Sequence, residues 1–113
     1  MHEMALAHGM LEIVEQAARD AGAARVTEVR LAIGALSHVT PDALRFCFDV
    51  VTRGGIAEGA TLTIDDVPGT AWCMPCGDTV ALLQIGDPCP RCGGFQLAVT
   101  GGNDMRVKDI AVA

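Results

Sequence analysis

The 113-residue sequence predicts an α+β fold: two helices packed on a three-stranded sheet, with an inserted four-cysteine, zinc-ribbon-like lobe. Three observations carry this expectation. Apolar residues recur first at helical and then at strand spacing, twice over, between positions 4 and 67. Four of the five cysteines and four of the five prolines crowd into residues 67–102. A last apolar segment then follows the cysteines, and its simplest place is back in the first sheet.

The elements follow in order. Residues 4–21 carry Leu6, Met10, Ile13, Val14, Ala17 and Ala21 opposite Glu12, Glu15, Gln16, Arg19 and Asp20, an amphipathic helix ending at Gly22. Val29, Leu31 and Ile33 alternate with Glu28 and Arg30 in a half-buried strand closed by Gly34. Thr40 and Pro41 supply an N-cap and an N1 proline for a second helix, with Leu44, Cys47, Phe48 and Val51 on its inner face and Gly54-Gly55 as its stop. Leu62 and Ile64 alternate with Thr61, Thr63 and Asp65 in a second strand ending near Pro68-Gly69. Met105 to Val112 reads as a third strand whose apolar phase slips between Val107 and Ile110, as a β-bulge or burial on both faces would allow. The expected domains are therefore residues 1–66 plus 103–113, and an inserted domain over residues 67–102 that has too little apolar content to fold alone.

Composition narrows the function. A formal charge of −6, with the eight basic residues spread along the chain, disfavours nucleic acid held through its phosphates. No membrane span is expected: the longest charge-free stretch, Cys92 to Asn103, has 12 residues, four of them glycine, against about 20 apolar residues for a span. No Lys or Arg precedes Arg19, so a secretory signal is not expected either. Reduced thiols in the cytoplasm follow, and the cysteines read as metal ligands.

Cys73-x2-Cys76-Gly77 and Cys89-x2-Cys92-Gly93 form two pairs separated by 12 residues. Two residues between thiols let one tight turn aim both sulfurs at a common centre, and the glycines permit a backbone that turns amide N–H groups toward sulfur. Four thiolates complete a tetrahedral Zn2+ and leave no open position, so the site is structural. A redox dithiol fits less well, because such motifs come singly, while spacing alone leaves an iron centre open. Cys47 reads as a small buried residue. Trp72, beside Cys73, is expected to pack on the metal turn.

The N-terminus carries the second legible chemistry. His2 is large, so Met1 is expected to remain. Its α-amine, the amide nitrogen of His2 and the His2 imidazole Nδ1 can then close adjacent chelate rings. Those three nitrogens lie in one plane, which suits Ni2+ or Cu2+ better than Zn2+. Glu3 is near enough to add an oxygen or to orient the ring. A histidine at position two is otherwise an ordinary exposed terminal residue.

Met1-His2-Glu3-Met4-Ala5-Leu6, Phe46-Cys47-Phe48-Asp49 with Arg53-Gly54, Ala57-Glu58-Gly59-Ala60 and the paired cysteines together resemble the HypA/HybF family of hydrogenase-maturation nickel metallochaperones. The resemblance spans essentially the whole chain. It implies a nickel domain of helices on a three-stranded sheet with an inserted zinc domain. It also implies Ni2+ cargo at His2 with Met1 and Glu3, and structural Zn2+ at Cys73, Cys76, Cys89 and Cys92. Delivery to a [NiFe]-hydrogenase large-subunit precursor, with the maturation GTPase HypB as partner and no catalysed reaction, follows from the same resemblance. Some relatives recruit a further nickel ligand from the loop before the second helix, which makes His38 a candidate, or from near the zinc lobe, whereas His8 lies off the helical face of His2. A homodimer, and service to urease, stay open. The rival is a zinc-ribbon interaction or nucleic-acid-associated adaptor with no nickel role; an enzyme fits worse, since no nucleophile-base pair is evident.

Overall fold

A computed structural model describes residues 2–113, and its elements run α1 (Glu3–Asp20), β1 (Val26–Gly34), α2 (Pro41–Thr52), β2 (Thr61–Val67), β3 (Thr70–Cys73), β4 (Asp78–Ala81), β5 (Leu97–Gly101) and β6 (Met105–Val112). The strands form two three-stranded sheets, ordered β2-β1-β6 and β4-β3-β5. β6 thus returns to the first sheet, as expected, and the second sheet lies wholly within the cysteine-rich segment.

β1 is the central strand of the first sheet, and nothing in its last four residues reaches solvent appreciably. Its neighbours run in opposite senses. Main-chain bonds from Val26 to the Ile56 carbonyl and from Ala35 to the Val67 carbonyl advance together along both segments, so β2 is parallel to β1 and α2 is their crossover. Gly34 to Asp104 and Ala113 to Arg25 advance oppositely, which makes β6 antiparallel. Those two bonds keep one register at both ends of β6, so the slipped apolar phase reflects no net inserted residue. Nor is β6 buried on both faces; none of its residues is fully buried. It is an edge strand, and an edge tolerates a loose pattern because little packs on it.

The helices pack on each other, but not by the stripe that hydropathy suggests. In α1 the buried residues are Ala7, Met10, Val14 and Ala18, whereas Ile13 is 57% exposed and Ala17 and Ala21 face solvent. Two of the four buried residues are alanines, so burial along α1 does not track hydrophobicity residue by residue. α2 buries Leu44, Cys47, Phe48 and Thr52, with Val51 only half-buried. Thr52 is tolerated there because its hydroxyl donates to the Phe48 carbonyl at 2.8 Å. Thr40 is the N-cap residue, yet its side chain makes no capping bond.

Two compact units result. One comprises the chain up to Ala32, Val39–Asp65 and Arg106–Ala113; the other comprises Ile33–His38 and Asp66–Met105. The first holds Phe48, Leu31, Leu44, Val14, Val26 and Val29, the largest fully buried side chains outside the cysteines. The second has a small core of Leu36, Ala71, Cys73, Val80, Leu82 and Cys89, with Cys76 and Leu97 packed against it. Leu36 enters this core from the end of β1, and its amide donates to the Gly102 carbonyl at 2.7 Å. Glycine is required at that crossing. A Cβ on Gly34 would lie 2.8 Å from the Gly102 Cα and closer still to its carbonyl, and main chain cannot yield as a side chain can. No helix among the described residues is long and apolar enough to cross a membrane.

Gly34→Ala should therefore lower unfolding stability by about 2 kcal/mol or more, measured as a fall in the urea midpoint, whereas Gly9→Ala, which meets no atom within 4 Å, should leave it unchanged or raised.

Candidate metal centre

Each cysteine pair is presented by a tight turn of the second unit. Cys73 ends β3, the chain reverses through Cys76, and β4 begins at Asp78. The Gly77 amide donates to the Cys73 carbonyl at 2.8 Å, and the Gly93 amide repeats this with Cys89, also at 2.8 Å. Both glycines have positive φ, 62° and 75°, which closes each turn without strain. The glycine amides thus bond carbonyls; the amides that reach sulfur are those of Arg91, 3.4 Å from the Cys89 Sγ, and of Cys92 and Cys76, on Cys89 and Cys73. The β3–β4 pairing, Trp72 with Thr79 and Cys73 with Asp78, anchors the first turn.

The four sulfurs lie within 4.8 Å of one another. Cys73 Sγ and Cys92 Sγ are 3.6 Å apart, and Cys76 Sγ and Cys89 Sγ 4.0 Å. A tetrahedral ion with metal–sulfur bonds of about 2.3 Å separates its sulfurs by about 3.8 Å, so the donor set fits Zn2+ in both chemistry and size. All four cysteines are unpaired thiols; Cys73 and Cys89 are buried, Cys76 is half-buried and Cys92 exposed. Zinc bound there would satisfy the sulfurs and cross-link two turns that share only a six-residue core.

Proton affinities show what the ion displaces. Hydrogen bonding with Cys73, then burial, pushes the Cys76 thiol up to about 12. At Cys73 the amide of Cys76 pulls downward, but burial and the bond with Cys92 outweigh it and leave the thiol raised. Cys89 is lowered to about 6, chiefly because the amides of Cys92 and Arg91 donate to its sulfur. One thiol is thus ready to lose its proton, while Cys73 and Cys76 hold theirs until a cation replaces them.

Trp72 does not cover this centre. Between buried Ala71 and Cys73, strand alternation turns it to the opposite face, where it is 41% exposed. Cys47 is buried in α2 and is not among the four clustered thiols, in keeping with a small core residue.

At the other end of the chain, Met1 lies outside the described residues. His2 is exposed and is the N-cap residue of α1, its carbonyl accepting from the Leu6 amide at 2.9 Å. The His2 amide nitrogen precedes the helix, so helical bonding makes no use of it. Glu3 is half-buried in the first turn, and the Thr40 amide donates to its Oε2 at 3.4 Å. The Glu3 carboxyl is held below its ordinary value, first by its own main-chain amide and then by that of Thr40. In a capping box the third helical residue of α2, Ala43, would be a glutamate reaching back to this amide. Glu3 of α1 supplies that carboxylate instead, a contact between residues 37 apart that no local pattern reveals. His8 is exposed on α1. His38, with φ 61°, is exposed in the second unit, beside a pocket lined also by Leu36, Leu83 and Ile85.

Comparison with known proteins follows the same lines. The family described as hydrogenase/urease nickel incorporation, metallochaperone, hypA, matches residues 1–112. The chain is 55% identical over 112 residues to the hydrogenase maturation factor HypA of Albidiferax ferrireducens, covering 99% of both chains. It is 56% identical, with the same coverage, to that of Rhodopseudomonas palustris strain BisB5. Among solved structures, the solution structure of the Ni metallochaperone HypA from Helicobacter pylori matches with a TM-score of 0.72 and 21% identity, over 99% of this chain and 97% of the other. A second, titled solution structure of HypA protein, gives 0.73 and 22% over 100% and 97%. At such identity these two structures speak for the fold alone.

Stripping zinc from the holoprotein with a chelator should abolish the circular-dichroism signal of Trp72 and open the four ligand thiols to alkylation, while the helical signal of α1 and α2 persists. The four thiols must give up their protons to hold the ion, so protons and zinc compete for the same sulfurs. Zinc release, followed with a chromogenic indicator, should therefore increase as pH falls.

Proposed function

The chain belongs to the HypA family of nickel-incorporation metallochaperones, and from that premise we propose that Ni2+ is taken up at the N-terminus, by His2 and Glu3 with Met1, and handed to the precursor of a [NiFe]-hydrogenase large subunit. The family places the chain as a hydrogenase maturation factor that binds nickel as cargo and catalyses no reaction. The maturation GTPase HypB is the expected companion in the transfer, and the cytoplasm, where thiols stay reduced, is its expected site.

The observation that carries the nickel reading is the placement of His2. It is exposed at the head of α1, with its amide nitrogen ahead of the helical bonding. Amine, amide and imidazole nitrogens can then close about a planar ion while Leu6 and the rest of α1 stay in place. Delivery needs a site that binds firmly yet exchanges ligands, and an exposed terminal chelate meets both demands. The four-sulfur centre meets neither, since it is closed and its ligands hold the second unit together. Accordingly we read the first unit as the nickel domain and the second as the zinc domain. Glu3 then acts from a fixed position, because its tie to Thr40 joins the chelate to the start of α2.

Isothermal titration of the untagged, zinc-loaded protein with Ni2+ tests this. One nickel per chain is expected, with His2→Ala weakening binding at least about tenfold, the order of effect of losing one ligand or its support. A residue added before Met1 should do the same, and affinity should fall as pH drops, since the ligands must give up protons. Equal nickel binding by His2→Ala at unchanged zinc content would overturn the proposal. Glu3→Gln, which keeps an acceptor for the Thr40 amide, should weaken nickel less than Glu3→Ala; the Ala variant should also speed hydrogen exchange at Thr40.

A further inference from the structure

Four strand edges border the two sheets, and they are not alike. The β2 edge carries Asp65 and Asp66, the β6 edge Arg106, Lys108 and Asp109, and the β4 edge Asp78. Charges on an edge strand discourage further pairing. β5, Leu97-Ala98-Val99-Thr100-Gly101, has none.

The register tells which of its main-chain groups are committed. Met74 donates to the Gln96 carbonyl at 3.0 Å, and the pairing continues through Cys73–Leu97, Trp72–Ala98 and Ala71–Val99, after which a bulge sets Thr70 opposite Gly101. In an antiparallel ladder bonded and non-bonded pairs alternate. Ala98 therefore bonds β3, and the N–H and C=O of Val99, with the C=O of Leu97, point away from it. The Leu97 N–H turns back to the Phe95 carbonyl at 2.9 Å. Side chains agree. Leu97 and Val99 share the face of Ala71 and Cys73, the core face of the second unit, yet Val99 is 38% exposed there and nearby Phe95 70%. The small core ends one strand short of cover.

We propose that the β5 edge is a docking strand for an extended polypeptide segment of a client protein, which adds as a fourth strand beside Val99. Unused main-chain donors and acceptors specify an extended chain, and the half-covered Val99 and Phe95 specify apolar, β-branched side chains at alternate positions. The regular stretch ahead of the bulge, Leu97 to Val99, offers three residues at about 3.4 Å each, roughly 10 Å. Such a contact buries far less than the roughly 1,200 Å² of a stable interface, so it suits brief capture of a flexible segment and not a lasting dimer. The chain's formal −6 charge repels a second copy and favours a segment flanked by lysine or arginine. This inference stands apart from the nickel reading, because it involves no residue of the first unit.

The probe is a synthetic heptapeptide of alternating valine and threonine with a lysine at each end, added to the zinc-loaded full chain and followed by amide NMR. Shifts confined to residues 95–101, with slowed hydrogen exchange at Val99, are expected. Val99→Pro removes the outward N–H yet spares the bonds to β3, a position an edge strand tolerates. It and Val99→Lys should weaken binding about tenfold, the order of losing a main-chain bond and its cover, with zinc content and melting temperature unchanged. No shift at β5 up to the solubility of the peptide, or equal binding by both variants, would overturn the proposal. So would a sedimentation result in which the parent chain dimerises and Val99→Pro disperses it, since the edge would then serve self-pairing.

Discussion

Four sulfurs that must converge to within 4.8 Å dictate the layout of the second unit. Two of them stand on the turn that joins β3 to β4, and two on a turn 13 residues downstream, so the intervening segment must fold back on β3. The two turns repeat the same glycine-closed geometry, and few buried side chains reinforce them. Metal coordination of this kind contributes about 10–16 kcal/mol, comparable to the whole stability of an ordinary domain. The sheet β4-β3-β5 is thus as much a consequence of the metal centre as its support.

Separate chemistries fall to separate ends of the chain. Four converging thiolates suit an ion that stays, whereas the nitrogens proposed for nickel, at an exposed helix start, suit one that leaves. An acidic chain reinforces the division: with four zinc-bound thiolates the formal charge moves from −6 to about −8, which attracts cations and repels nucleic acid. Glu3, next to His2 in the chain, ties the start of α2 to α1 through the Thr40 amide.

Much was legible because periodicity and glycine placement are local. α1, α2, β1, β2 and β6 all lie where their patterns put them, within a residue or three at each end, and Gly22, Gly54, Gly77 and Gly93 adopt the positive φ that their turns need. Less legible was which face of each helix is buried. Ile13 is more hydrophobic than Ala18, yet Ala18 is inside, because the side of α1 that the fold covers is set by the neighbouring elements and not by the helix's own hydropathy. Trp72 was misplaced by proximity: adjacency in sequence means opposite faces in a strand.

The cysteine spacing and the opening Met-His-Glu determined by themselves where metal chemistry would be sought, since ligand identity and separation are properties of the chain. The elements of the first sheet were likewise determined by side-chain period. Only the tertiary structure decided that β2 lies parallel and β6 antiparallel to β1, that Leu36 leaves β1 to complete the core around Cys73 and Cys89, that Glu3 reaches Thr40, and that β5 remains an open edge. Each of these joins residues far apart along the chain. No local propensity encodes such contacts; they exist because buried main-chain groups and a small core had to find partners wherever the fold brought them.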